Sequence, residues 1–194
     1  MAVTVPFTVP PPRVPPEGDA YASWYERVLG WPVVAGPPSQ LVTGHRFDVL
    51  ELPSDAGAAL LRRPVATGPV ALMGRRMRFL VAAGSADELD GLLDWLEWGG
   101  VALDLAALGA GGRITAPAPP GPPLGNCPRG AAVWLRPPEQ GCEALLPALP
   151  GLGQGVGPGR GPDLVRLVAA AATECHRARL GRRTDQSRQP LAFS

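Results

Sequence analysis

Lysine is absent from this chain of 194 residues; all eighteen basic side chains are arginine. Isoleucine occurs once, at Ile114, and histidine twice. With 25 glycines and 25 prolines alongside, these scarcities read as high-GC bacterial coding, so abundant arginine carries little functional meaning. Net charge is equally sparse. A formal value of +1 gives no global attraction to nucleic acid or membrane, and any such binding has to come from a local patch. No apolar run nears the roughly 20 residues of a spanning helix, and no signal peptide opens the sequence. Cys127, Cys142 and Cys175 are odd in number and irregularly spaced, which argues against a disulfide framework. A reduced, cytoplasmic protein without membrane contact is expected.

What is there fits one domain with tails. Residues 1–18 form a proline-rich arm, with Pro6, Pro10, Pro11, Pro12, Pro15 and Pro16 favouring extended geometry. Residues 19–137 carry the domain. Residues 138–162 are a proline- and glycine-rich linker, 163–181 a C-terminal helix, and 182–194 a polar tail. The expected fold is α+β: a mixed or antiparallel central sheet with flanking helices.

Within the domain, residues 19–29 read as a helix with a stripe of Tyr21, Trp24 and Val28, joined by Tyr25, and Gly30 as its stop. A short buried strand follows over 31–35. Strands are expected at 41–43 and 45–52, interrupted at Gly44, then a short helix to Arg63 capped by Ser54 or Asp55. Residues 70–73 and 76–82 form a hairpin turning at Gly74 and Arg75. Ser85 and Glu88 stand three apart as a capping box, opening a helix to Trp98. Its stripe is Leu89, Leu92, Leu93 and Leu96, widened by Trp95 and Trp98 and stopped by Gly99 and Gly100. Strands over 101–105 and 113–116 flank a glycine-rich turn, and another spans 131–136. A short helix is expected over 143–149. The last helix buries Leu164, Leu167, Val168, Ala171 and Cys175 on one face and ends at Gly181.

The chemistry centres on residues 46–57, an acid-bearing strand running into a helix start. Side chains two apart on a strand share a face, so an acid-x-acid pair can hold a shared pair of divalent ions. Here Asp48 and Glu51 are three apart and point to opposite faces.

The order of these signals from Ala20 to Pro137 resembles the bifunctional primase-polymerase N-terminal domain of the archaeo-eukaryotic primase superfamily. The resemblance is carried by Gly30-Trp31-Pro32-Val33-Val34, the acid-bearing strand with Gly57 downstream, Arg76-Met77-Arg78-Phe79-Leu80-Val81, and Leu103-Asp104-Leu105 followed by Gly111-Gly112-Arg113-Ile114-Thr115-Ala116-Pro117. It implies two metal ions held by an acid-x-acid pair and a third acid, and a histidine contacting the incoming nucleotide. The pair maps onto Glu51 and its surroundings, the third acid onto Asp104, and the histidine position onto Met77. A thioether does not replace imidazole as a donor to phosphate, and a lost metal ligand costs orders of magnitude in rate. The sequence thus reads as a shortened, degenerate member with Glu51 and Asp104 as residual catalytic positions. No cofactor or structural metal is expected, and magnesium or manganese only with residual activity.

Each site has a simpler reading. Strand-end carboxylates such as Glu51 and Asp104 more often cap a helix or pair with an arginine. Arg76 and Arg78 can touch phosphate but also suit a solvated edge. Arg177, Arg179, Arg182 and Arg183 make a basic end that suits DNA or RNA, yet such charge also complements a helix dipole. Cys127, Cys142, Cys175 and His176 lack zinc spacing, and Cys175 reads as a buried free thiol. His45 reads as a structural strand histidine. Three functions stand open: a noncatalytic derivative binding nucleic acid, nucleotide or a protein partner; an active primase or polymerase; and a structural or interaction protein.

Overall fold

The computed structural model describes residues 17–121, 130–149 and 163–187. The arm at 1–16, Cys127, linker residues 150–162 and tail residues 188–194 lie outside them. The architecture is α+β, with antiparallel sheets flanked by helices and a long C-terminal helix.

Helix α1 (Glu17–Trp24) widens into a π-helical turn, Tyr25–Leu29, ended by Gly30 at φ +66°. The extra residue in a π turn rotates the buried face. Tyr25 and Leu29 therefore face the core and Val28 is exposed, which corrects the expected stripe. Strands β1 (Val33–Val34), β2 (Gln40–Val42) and β7 (Arg113–Thr115) form a three-stranded sheet in the order β1-β2-β7. Strands β3 (Asp48–Pro53), β4 (Val70–Met73), β5 (Arg76–Val81), β6 (Ala106–Leu108) and β8 (Val133–Arg136) form a five-stranded sheet in the order β6-β3-β5-β4-β8.

The sequence suggested one central sheet, and two form because the chain turns between β2 and β3. Gly44 makes that turn at φ +89°, and a Cβ there would lie 2.3 Å from Ala110 Cα. Only glycine fits a left-handed conformation pressed this closely on another backbone. Thr43 clasps the same crossing, its hydroxyl donating to the Gly109 carbonyl at 2.6 Å.

The five-stranded sheet is covered on both faces. Leu50, Leu52, Met77, Phe79 and Val81 point to one side, where α2 (Ser54–Leu61) and α4 (Leu164–Ser187) bury them with Leu60, Leu164, Leu167, Val168, Ala171 and Cys175. Phe47, Val49 and Leu80 point to the other, against Tyr25, Trp31, Leu41 and Ile114. The period of two in β3 and β5 produces this division directly.

Asp163 caps α4, its carboxylate accepting from the Val165 and Arg166 amides at 2.8 and 3.4 Å. The expected buried face of α4 is present, but the helix runs through Gly181 to Ser187. Arg182, in that extension, pairs with Asp55 at the start of α2 at 2.6 Å. An isolated glycine costs a helix only about 1 kcal/mol, so Gly181 alone does not stop it.

Helix α3 is only Leu89–Trp95, and no side chain caps it. The Ser85 and Glu88 capping box does not form. Residues 83–88 are turns instead, because the Ala86 amide donates to the buried Asp48 carboxylate at 2.9 Å. The helix ends four residues before Gly99. The Glu97 amide bonds to Asp94 O and the Trp98 amide to Leu93 O, a Schellman pattern with Glu97 at φ +63°. Leu92, Leu93 and Leu96 pack against the core, while Trp95 points out. Residues 101–105 are not a strand, since they lie along α4: Arg179 donates to Ala102 O and the Cys175 thiol to Asp104 O. In place of the short helix over 143–149 there is one 3-10 turn, Cys142–Leu145.

Candidate functional site

Pairing of β3 with β5 sets Glu51 opposite Arg78. Arg76 lies one same-face step along β5. All three side chains therefore project from the sheet face opposite α2 and α4, near the β4–β5 turn. Arg78 Nε donates to Glu51 Oε2 at 2.6 Å and Arg76 Nε to Glu51 Oε1 at 3.0 Å. Arg76 Nη1 then reaches Asp104 Oδ1 at 2.6 Å. Arg76 Nη2 also meets the Glu51 carbonyl at 3.3 Å, and Arg78 Nη1 lies against Met73 Sδ at 3.5 Å.

Glu51 and Asp104 are thus brought together, with a guanidinium between them. Burial alone would raise the Glu51 pKa, but Arg78 and then Arg76 outweigh it and hold the carboxyl below its usual range. Burial would lower the Arg76 pKa, and Asp104 and Glu51 reverse this and raise it. Two carboxylates face two arginines, so the cluster is charge-balanced.

Met77 is not in this cluster. It belongs to the opposite face, 3% exposed, beneath α2. A Cβ on Gly57 would lie 2.5 Å from Met77 Sδ, which shows how tightly the helix is seated there. The position mapped to a nucleotide-contacting histidine and Glu51 are therefore on opposite faces of one sheet. Among the described residues, no three His, Cys, Asp or Glu side chains are grouped to hold a metal ion.

The arginines proposed for nucleic acid mostly have acceptors inside the chain. Besides Arg76 and Arg78, Arg177 pairs with Glu174 at 2.9 Å, Arg182 with Asp55, and Arg179 with the Ala102 carbonyl. Arg63 also binds Glu174, at 2.5 Å, tying the end of α2 to α4. Arg183 is exposed.

Cys175 is buried and its thiol pKa is pushed up to about 12, first by burial and then by the Asp104 charge. Cys142 is likewise free and pushed up to about 11 by burial and Glu143. Neither is a nucleophile at neutral pH. His45 is not on a strand; it stands exposed in the loop between β2 and β3. There it lines a shallow groove of about 370 Å³ with Glu26, Gly30, Trp31, Pro32 and Arg46. No helix among the described residues is long and apolar enough to cross a membrane.

Comparison with known proteins yields no match: no family model, no curated protein and no solved structure is similar to this chain.

One residue that sequence reasoning placed wrongly bears on function. Trp95 reads as part of a buried stripe, and it is 71% exposed. Its signal was the surrounding charge: Asp87, Glu88, Asp90, Asp94 and Glu97 flank it with no basic residue between Arg78 and Arg113.

Proposed function

We propose that this chain is a noncatalytic, primase-polymerase-like module that acts by binding, and that a protein partner is its target rather than nucleic acid. The observation that carries the reading is the position of Arg76, whose guanidinium bridges Glu51 and Asp104. Carboxylates meant for divalent ions must keep their charge directed at the metal. Here that charge is neutralised by the protein itself, and a cation entering between them would meet a guanidinium. The arginines that would otherwise approach phosphate are engaged within the fold, which favours a protein partner over DNA or RNA.

The test is nucleotide incorporation on primed and unprimed templates with magnesium or manganese, with manganese binding followed in parallel by electron paramagnetic resonance. The expected result is neither incorporation nor tight manganese binding. Template-dependent extension that Asp104→Ala abolishes would overturn the reading in favour of an active polymerase.

A further inference from the structure

We propose that the outward face of α3, centred on Trp95, docks an arginine-bearing segment of a protein partner. The inference names the partner chemistry for the binding reading above and rests on it. Among the exposed large apolar side chains of the described residues, Trp95 is the most exposed. Single exposed apolar residues are ordinary, so the surroundings decide what this one means.

Two features set Trp95 apart. Helical side chains lean toward the N-terminus, over the residue one turn back. That residue is Gly91, which is exposed and where even an added Cβ would meet nothing within 4 Å. The space over Gly91, on the N-terminal side of Trp95, is therefore open. The second feature is unbalanced charge. Asp87, Glu88, Asp90, Asp94 and Glu97 are all exposed, and none forms an ion pair with a described basic side chain. Elsewhere Glu51, Asp55, Asp104, Asp163 and Glu174 are each paired with arginine. Acids held unpaired around an outward tryptophan complement a cationic partner and repel a phosphate backbone.

The guanidinium is the side chain that uses both features. It stacks on an indole face through cation–π attraction and meets carboxylates in a two-pronged geometry. Tryptophan is also the residue most enriched at the energetic centres of protein interfaces. Around such a centre the rim acids would set approach rate and salt dependence rather than most of the affinity.

The experiment measures binding of fluorescein-labelled nona-arginine to the full chain by anisotropy, with nona-glutamate as control probe. Nona-arginine is expected to bind, nona-glutamate not. Trp95→Ala should weaken binding about tenfold or more, with the double change Asp94→Asn and Glu97→Gln weakening it and flattening its salt dependence. Glu139→Gln, at an exposed acid on another loop, should leave it unchanged. Trp95→Phe, retaining an aromatic face, should keep most of the affinity, and circular dichroism checks the fold of every variant. Equal binding by Trp95→Ala and the parent chain would overturn the proposal. So would Trp95-dependent dimerisation in sedimentation, which would assign the face to a second copy, or Trp95-dependent binding of single-stranded DNA. Nucleotide incorporation by a chain that still binds nona-arginine through Trp95 would overturn the noncatalytic reading alone.

Discussion

A double-mutant cycle on Glu51 and Arg78 tests whether the carboxylate–arginine cluster is a structural clasp. The side chains of Glu51 and Arg78 are 18% and 15% exposed and hydrogen-bonded at 2.6 Å. The neighbouring Arg76–Asp104 pair has the same distance, but Asp104 is 54% exposed. Fully buried pairs lose about 3–5 kcal/mol when one partner is removed, and exposed pairs yield about 0.2–1 kcal/mol. Glu51→Gln should therefore destabilise the fold by about 2 kcal/mol, between those limits. It replaces the carboxylate that Arg78 and Arg76 share by a neutral amide with one acceptor oxygen, so Arg78 loses its only charged partner among the described residues while Arg76 keeps Asp104. The Glu51–Arg78 coupling should exceed about 1 kcal/mol, and the Arg76–Asp104 coupling should fall below it. Urea denaturation followed by tryptophan fluorescence measures both cycles.

The pH dependence carries the same signature. Because the folded Glu51 pKa is depressed, its stabilisation is present above the unfolded value of 4.5 and is lost as pH falls through the folded pKa. Parent and Glu51→Gln stabilities should converge below that range. Asp48 acts in the opposite sense: burial raises its pKa, offset in part by the Ala86 and Gly84 amides. The stability it withholds at neutral pH is recovered as pH falls toward its unfolded value of 3.8. Molar salt should remove less of the Glu51–Arg78 coupling than of the exposed pair. An Arg76–Asp104 coupling as large as the other, or a Glu51→Gln cost under about 0.5 kcal/mol, would refute the clasp.

Met77→His restores the imidazole that the resemblance expects, yet it should give no nucleotide incorporation and should cost about 2–4 kcal/mol in urea titration, because the ring enters the closed face beneath α2. Gly57→Ala should cost about 1–3 kcal/mol, since its methyl meets Met77 Sδ and Cβ at 2.5 and 2.8 Å. Adding Met77→Ala should recover part of that loss, and additive costs would place the strain elsewhere. Glu97→Gly should stabilise by about 1 kcal/mol in thermal melts by relieving the left-handed backbone that closes α3; a lower melting temperature would contradict it.

Local pattern was enough for some of this protein. The hairpin of β4 and β5 at Gly74 and Arg75, the inward face of α4 from Leu164 to Cys175, and the separation of Asp48 from Glu51 onto opposite faces all follow from periods of 2 and 3.6 and from turn chemistry. Those periods also placed Met77 on a face with Phe79 and Val81. They do not say what covers each face. That α2 and α4 close over Met77, while Arg76 bridges Glu51 to Asp104, depends on segments distant in sequence meeting in space. The capping box failed for the same reason, since the Asp48 carboxylate, 38 residues away, takes the Ala86 amide. Trp95 satisfies the spacing of a buried stripe, but seven residues of helix give a short face to bury. Packing against α4 and the core takes up Leu89, Leu92, Leu93 and Leu96 and leaves the indole in solvent.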